Sequence, residues 1–162
     1  MAYLLDSNVF IEAKRLYYAP DFCPAFWDWL IVRNKEQKVF SIEKVEDEIS
    51  GGGDALSRWA AARGAGFFLR PDESVVSALA RVTEWAASQQ YTPAAVHQFF
   101  QDADYYLVAH ALAHKHTVVT LEVAKGSKKI VQIPEVCIGL KIKCVSTFQM
   151  LRSEGARFIL EK

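Results

Sequence analysis

The stretch that most constrains this chain is Tyr3-Leu4-Leu5-Asp6-Ser7-Asn8. A short apolar run ends in an acid, a hydroxyl and an amide. Val9, Phe10, Ala13, Leu16 and Tyr17 then recur at helical spacing. The pattern predicts a buried strand whose carboxyl end delivers a carboxylate to the start of a helix. In open parallel α/β sheets, ligands and catalytic groups gather at that end of the strands. Asp-Ser-Asn is also a good helix N-cap. Both readings stay open on these residues alone, and the deciding question is whether other acids occupy comparable places.

Further strands are expected at residues 39–42, 67–69, 117–120 and 142–145, with an edge strand at Phe158-Ile159-Leu160. The runs at 2–5 and 117–120 look the most buried. Helices are expected between them. Pro24 opens one with Phe26, Trp27, Leu30 and Ile31 on its apolar face, and Trp27 and Trp29 read as packing residues more than as a base-stacking platform. Residues 43–49 form another. Gly51-Gly52-Gly53 lacks the Gly-Lys-[Ser/Thr] of a phosphate loop and reads as a turn, with Asp54 capping the helix that follows. Asp72 caps a helix with Val75, Leu79, Val82 and Ala86 as its core stripe. A short helix follows Pro93, a strong one runs from about Gln101 to His114, and shorter ones begin at Ile133 and Thr147. Gly139 and Gly155 read as turn residues. Alternating strands and helices without a repeat or linker predict one α/β domain over residues 1–162, with a central, mostly parallel sheet and helices on both faces.

Length and composition fit this: 162 residues, half of them hydrophobic, can bury a full core. Nineteen basic and nineteen acidic side chains cancel, so any nucleic-acid binding must rest on a local patch. Cys23, Cys137 and Cys144 are odd in number and dispersed, which predicts a reducing cytoplasm. Neither a signal peptide nor a membrane span is expected.

Four acids stand out by position. Asp6 and Glu122 each follow a buried-strand candidate. Glu48 lies on the helix of residues 43–49, with Glu46 as a substitute. Asp104 opens the helix whose inner face carries Val108 and Ala111. Each has an ordinary alternative: Asp102 or Asp104 as a helix cap, Glu46-Asp47-Glu48 as a solvated face, Glu122 as a loop acid. Taken jointly, clustered carboxylates repel, and a divalent cation relieves that cost. An oxygen-only set favours Mg²⁺ or Mn²⁺ over zinc. Phosphodiester hydrolysis is the chemistry such a site fits. His110 and His114, with His116 nearby, make a zinc pair conceivable, but no third ligand has suitable spacing.

These motifs resemble those of PIN-domain ribonucleases. Leu4-Leu5-Asp6-Ser7-Asn8 is similar to their opening strand motif, and Val45-x-x-Glu48-Ile49 to their helical glutamate. Asp104-x-x-Leu107-x-Ala109-x-Ala111 resembles their third motif, and Val118-Val119-Thr120-x-Glu122 their fourth, with Glu where many members have Asp. The tail, from Ile133-Pro134 to Met150-Leu151, resembles VapC-like toxins of toxin–antitoxin pairs. The resemblance spans nearly the whole chain. It implies a Mg²⁺- or Mn²⁺-dependent endoribonuclease that cleaves single-stranded RNA. It also implies a cognate antitoxin protein, such as a helix-turn-helix regulator, and a possible homodimer. Asp6, Glu48, Asp104 and Glu122 are the expected metal ligands and catalytic acids. Ser7, Asn8, Asp102 and Thr120 are expected to support them, and Lys125, Lys128 and Lys129 to track the RNA backbone. Two other readings remain: a catalytically inactive PIN-like scaffold for RNA or protein, and a phosphatase with Asp6 as nucleophile.

Overall fold

The computed structural model describes residues 1–161. Five strands form one sheet: β1 (Tyr3–Leu5), β2 (Val39–Ile42), β3 (Phe68–Leu69), β4 (Thr117–Val119) and β5 (Cys144–Val145). Their order is β3-β2-β1-β4-β5 and every neighbouring pair is parallel. Leu4 stands opposite Phe40 on one side and Val118 on the other. Both faces of the central strands are covered, which is why they read as continuous apolar runs without alternation. β2 is buried along its whole length, a third central strand that its Ser41 had disguised. Ser41 Oγ donates to the Leu5 carbonyl at 2.6 Å, so the hydroxyl is satisfied inside the sheet.

Parallel neighbours cannot be joined by tight turns, so helices carry every crossover. α1 (Ser7–Glu12), a π-helical segment (Ala13–Tyr17) and α2 (Pro24–Lys35) join β1 to β2. α3 (Glu43–Ile49) and α4 (Ala55–Ala61) lead to β3. α5 (Glu73–Ser88), α6 (Pro93–Gln101) and α7 (Ala103–His114) return the chain to β4. α8 (Ile133–Leu140) leads to β5, and α9 (Thr147–Ser153) follows it. The chain steps outward from β1 through β2 to β3, then crosses back to β4 on the far side of β1. The β1–β4 boundary is therefore the topological switch point, where an open α/β sheet leaves a crevice at the carboxyl ends of its strands.

The core matches the expected stripes in most places. Val75, Ala78, Val82 and Ala86 are the buried face of α5, with Leu79 only half-buried. Asp72 and Asp54 cap their helices through the Val75 and Ser57 amides, each at 3.0 Å. Trp27 is buried, edge-on to Trp59 at 5.1 Å, and its indole N–H donates to the Tyr18 carbonyl. Trp29 is half-buried with the Arg33 guanidinium over its ring.

Three expectations are corrected. The helical spacing from Val9 to Tyr17 does not give one α-helical apolar face: the segment turns π-helical over Ala13–Tyr17, and the wider turn leaves Leu16 and Tyr17 exposed. Residues 158–160 form no strand. Phe158 turns into the aromatic cluster, against Tyr18 at 5.7 Å and Phe26 at 6.3 Å, while Ile159 and Leu160 are exposed. Burial of one aromatic ring takes precedence over edge pairing there. Gly139 is not a turn residue but lies inside α8. A Cβ on it would stand 2.1 Å from Trp85 Nε1, so its lack of a side chain is what lets α8 close on α5. Gly155 does occupy a turn, with φ +64. No helix among the described residues is long and apolar enough to cross a membrane.

Candidate carboxylate site at the switch point

Asp6 stands between β1 and α1 and takes the helix-cap role that its sequence suggested. Its Oδ1 accepts from the Ser7 amide at 2.7 Å as a helix cap, and its Oδ2 accepts from Thr120 Oγ1 at 2.8 Å. Only 4% of the residue is exposed. Thr120 lies just past β4 and is the hub of this corner. Its Oγ1 also accepts from Asn8 Nδ2 at 3.2 Å and from the Glu122 amide at 3.1 Å. Asn8 Oδ1 in turn accepts from the Leu121 amide. Asn8 and Thr120 thus lock the start of α1 to the exit of β4, and their polar atoms are committed to that junction.

Glu48 reaches the corner from α3, where it accepts a hydrogen bond from Ser7 Oγ. Asp104 enters from the first turn of α7, and Glu122 from the loop after β4. Asp102, Asp104 and Glu122 line one cavity of about 210 Å³ together with Lys129. Four acids that lie up to 116 positions apart in sequence, from Asp6 to Glu122, are therefore drawn to one end of one sheet.

Their electrostatics report the crowding. Burial pushes Asp6 up to about 7, helped by the charges of Glu122 and Glu48 and opposed by the Thr120 and Ser7 hydrogen bonds. Asp104 is pushed up to about 8, again first by burial, then by Asp6, Glu122, Glu48 and Asp102. Glu122 is raised by burial and by Asp102, while the Ile133 amide pulls it back. No Lys, Arg or His among the described residues forms an ion pair with any of these acids. The Glu46 carboxyl answers instead to burial, Asp47, Glu43 and Arg70, so Glu48 is the helical acid turned to the site.

Two acids do other work as well. Glu122 Oε2 accepts from the Ile133 amide at 3.0 Å and so caps α8, a role that its position as a loop acid did not reveal. Asp102 occupies the cap position of α7 but makes no capping bond. It accepts from Gln98 Nε2 at 2.9 Å, which leaves its carboxylate beside Asp104.

The basic loop is less uniform than its sequence. Lys129 lines the acidic cavity, Lys128 Nζ sits 5.1 Å over the Tyr91 ring, and Lys125 is exposed. The loop is held by residues the sequence did not single out. Gln132 accepts from the Lys125 amide and donates to the Val123 carbonyl, and Glu135 accepts from the Gly126 amide and the Tyr91 hydroxyl. Gln98 had one legible signal, its spacing of four from Asp102. Gln132 had none, since its partners lie in irregular backbone.

All the donors here are carboxylate oxygens, which suit a hard divalent cation in kind. As the side chains stand, no three His, Cys, Asp or Glu among the described residues are arranged to hold a metal ion. Glu48 accepts from Ser7 and Glu122 from the Ile133 amide, each through one oxygen only, which leaves the second oxygen of each carboxylate without a hydrogen bond among the described residues. The histidines at the other end of α7 are engaged differently. His114 Nε2 lies 2.8 Å from Asp72 Oδ2, and burial lowers buried His110 to about 4.

No curated protein and no solved structure matches the chain. Residues 3–158 match the profile of a family described as a domain of unknown function, DUF4411, and the chain belongs to that family.

Proposed function

We propose that this protein is a Mg²⁺- or Mn²⁺-dependent endoribonuclease of the PIN-like kind, acting on single-stranded RNA. The observation that carries the reading is the convergence of Asp6, Glu48, Asp104 and Glu122 at the switch point without an ion pair to any described Lys, Arg or His. A divalent cation bound there would supply an activated water and a counter-charge for the phosphate. Asp6 and Asp104 would hold it, with Glu48 offering the oxygen that does not accept from Ser7. Thr120 and the Ser7 amide fix both oxygens of Asp6, so that ligand is pre-oriented. Lys129, on the rim of the cavity, is placed to meet a backbone phosphate. A protein partner, such as an antitoxin, has a surface to cover beside Glu122. A groove of about 590 Å³ there is bordered by exposed Tyr17, Val123 and Ile138 and by Phe148.

A second reading, a PIN-like scaffold without catalysis, draws on the structural bonds of Glu48 and Glu122. An assay of pure protein on single-stranded RNA separates the two. Mg²⁺- or Mn²⁺-dependent cleavage, lost in both Asp6→Asn and Asp104→Asn, is the expected result. Cleavage that persists in both variants would sink the mechanism, and RNA binding without cleavage in either metal would favour the scaffold.

A further inference from the structure

At the opposite end of the sheet lies a cleft of about 380 Å³ with no acid among its lining residues. Four cations border it: Arg81 from α5, Lys115 and Lys141 just beyond α7 and α8, and Lys143 entering β5. All four are exposed, and none forms an ion pair with a described residue. In a chain whose formal charges cancel, this is a concentrated unbalanced field. Its floor is apolar, formed by Ala111, Leu112 and Ile142.

The backbone adds an independent observation. Lys115 has φ 56 and Lys141 φ 58, both left-handed caps of the helices they end. Glycine is the usual residue at such a place, and a lysine there carries a steric cost from its Cβ. A helix C-terminus favours a cation in part. That benefit does not reach Arg81, in the middle of α5, or Lys143, past the cap of α8. Two strained lysines and two unstrained cations thus converge on one concavity whose size lies within the range of small-ligand pockets.

We propose that this cleft binds a phosphate ester, with the phosphate among Arg81, Lys115, Lys141 and Lys143 and the face of a base against Leu112 and Ile142. The site is separate from the carboxylates and does not rest on the nuclease reading. Its ligand is either a free nucleotide or a phosphate of an RNA strand, which present the same anion.

Equilibrium binding to the full chain in EDTA tests this without cleavage, using fluorescent ATP and fluorescent single-stranded RNA of several lengths as probes. The variant Lys115→Gly/Lys141→Gly removes two charges and relieves two strained backbones, so its melting temperature should hold or rise. It should bind about tenfold more weakly, and for single-stranded RNA the slope of log affinity against log salt should fall by about 1.4, roughly 0.7 for each cation removed. Lys143→Gln, a charge change without a backbone change, should weaken binding in the same direction. ATP binding that is weakened by the variants identifies a free nucleotide site. RNA binding that is weakened by them, with no ATP binding, identifies the strand. If neither probe binds at low salt, or if every probe that binds does so as tightly to the variants as to the parent chain, the proposal is overturned.

Discussion

At the residue scale, Asp6 and Asp104 are unusual because both are held in the fold above the ordinary carboxylate value of 3.8, at about 7 and about 8. The native state therefore keeps protons that the unfolded chain has released. Their contribution to stability is full below about pH 4 and is lost as pH rises through 7 to 8. Asp104→Asn removes the repulsion without changing shape. In metal-free buffer near pH 8 it should stabilise the protein by about 1 kcal/mol, with little effect near pH 4. Urea unfolding at the two pH values measures this, and a loss of stability at pH 8 would show that the carboxylate is favourably placed without a cation. The same variant is expected to abolish cleavage, so stability and activity should move in opposite directions.

At the element scale, α8 holds the site from outside. Its first amide fixes Glu122, and Gly139 near its other end lets Trp85 of α5 pack against it. Gly139→Ala places a methyl group where the indole lies. Helix propensity alone would favour alanine by about 1 kcal/mol. Overpacking costs about 1–3 kcal/mol, and the contact at 2.1 Å with a ring makes that term the larger. A lowered unfolding midpoint with altered tryptophan fluorescence is expected, and an unchanged midpoint would mean that Trp85 swings aside freely. From sequence Gly139 passed for a turn residue, because nothing local distinguishes a glycine that ends a helix from one that makes room for a neighbour. Asp102 carries the converse lesson. Its position named it a cap, yet its side chain bonds Gln98 instead.

At the scale of the whole molecule, the order β3-β2-β1-β4-β5 places the acids of β1, α3, α7 and the β4 exit around one crevice. Because these segments come from distant parts of the chain, a cation bound there would clamp the fold together. Mg²⁺ or Mn²⁺ should raise the melting temperature, and more at pH 8 than at pH 6, since protons compete for the same carboxylates. Asp6→Asn should remove most of that gain. An equal shift at both pH values would place the cation elsewhere.

The sequence by itself determined the elements and the identities of the acids. Strand and helix patterns depend on spacing within a few residues, and β1, α5 and α7 stand close to where their periodicity put them. It also marked Asp6, Asp104 and Glu122, because an acid at the end of a buried segment is costly without a purpose, and it left Glu48 and Glu46 as alternatives on one helix. Only the tertiary structure decided how those acids are used. Glu48 rather than Glu46 faces the site, Glu122 also caps α8, and Phe158 enters the core instead of extending the sheet. Likewise Lys115, Lys141 and Arg81 meet only because the crossovers bring three helices to one edge. Burial, charge coupling and capping act through space over a few ångströms, and the strand order that sets those distances is a property of the assembled chain.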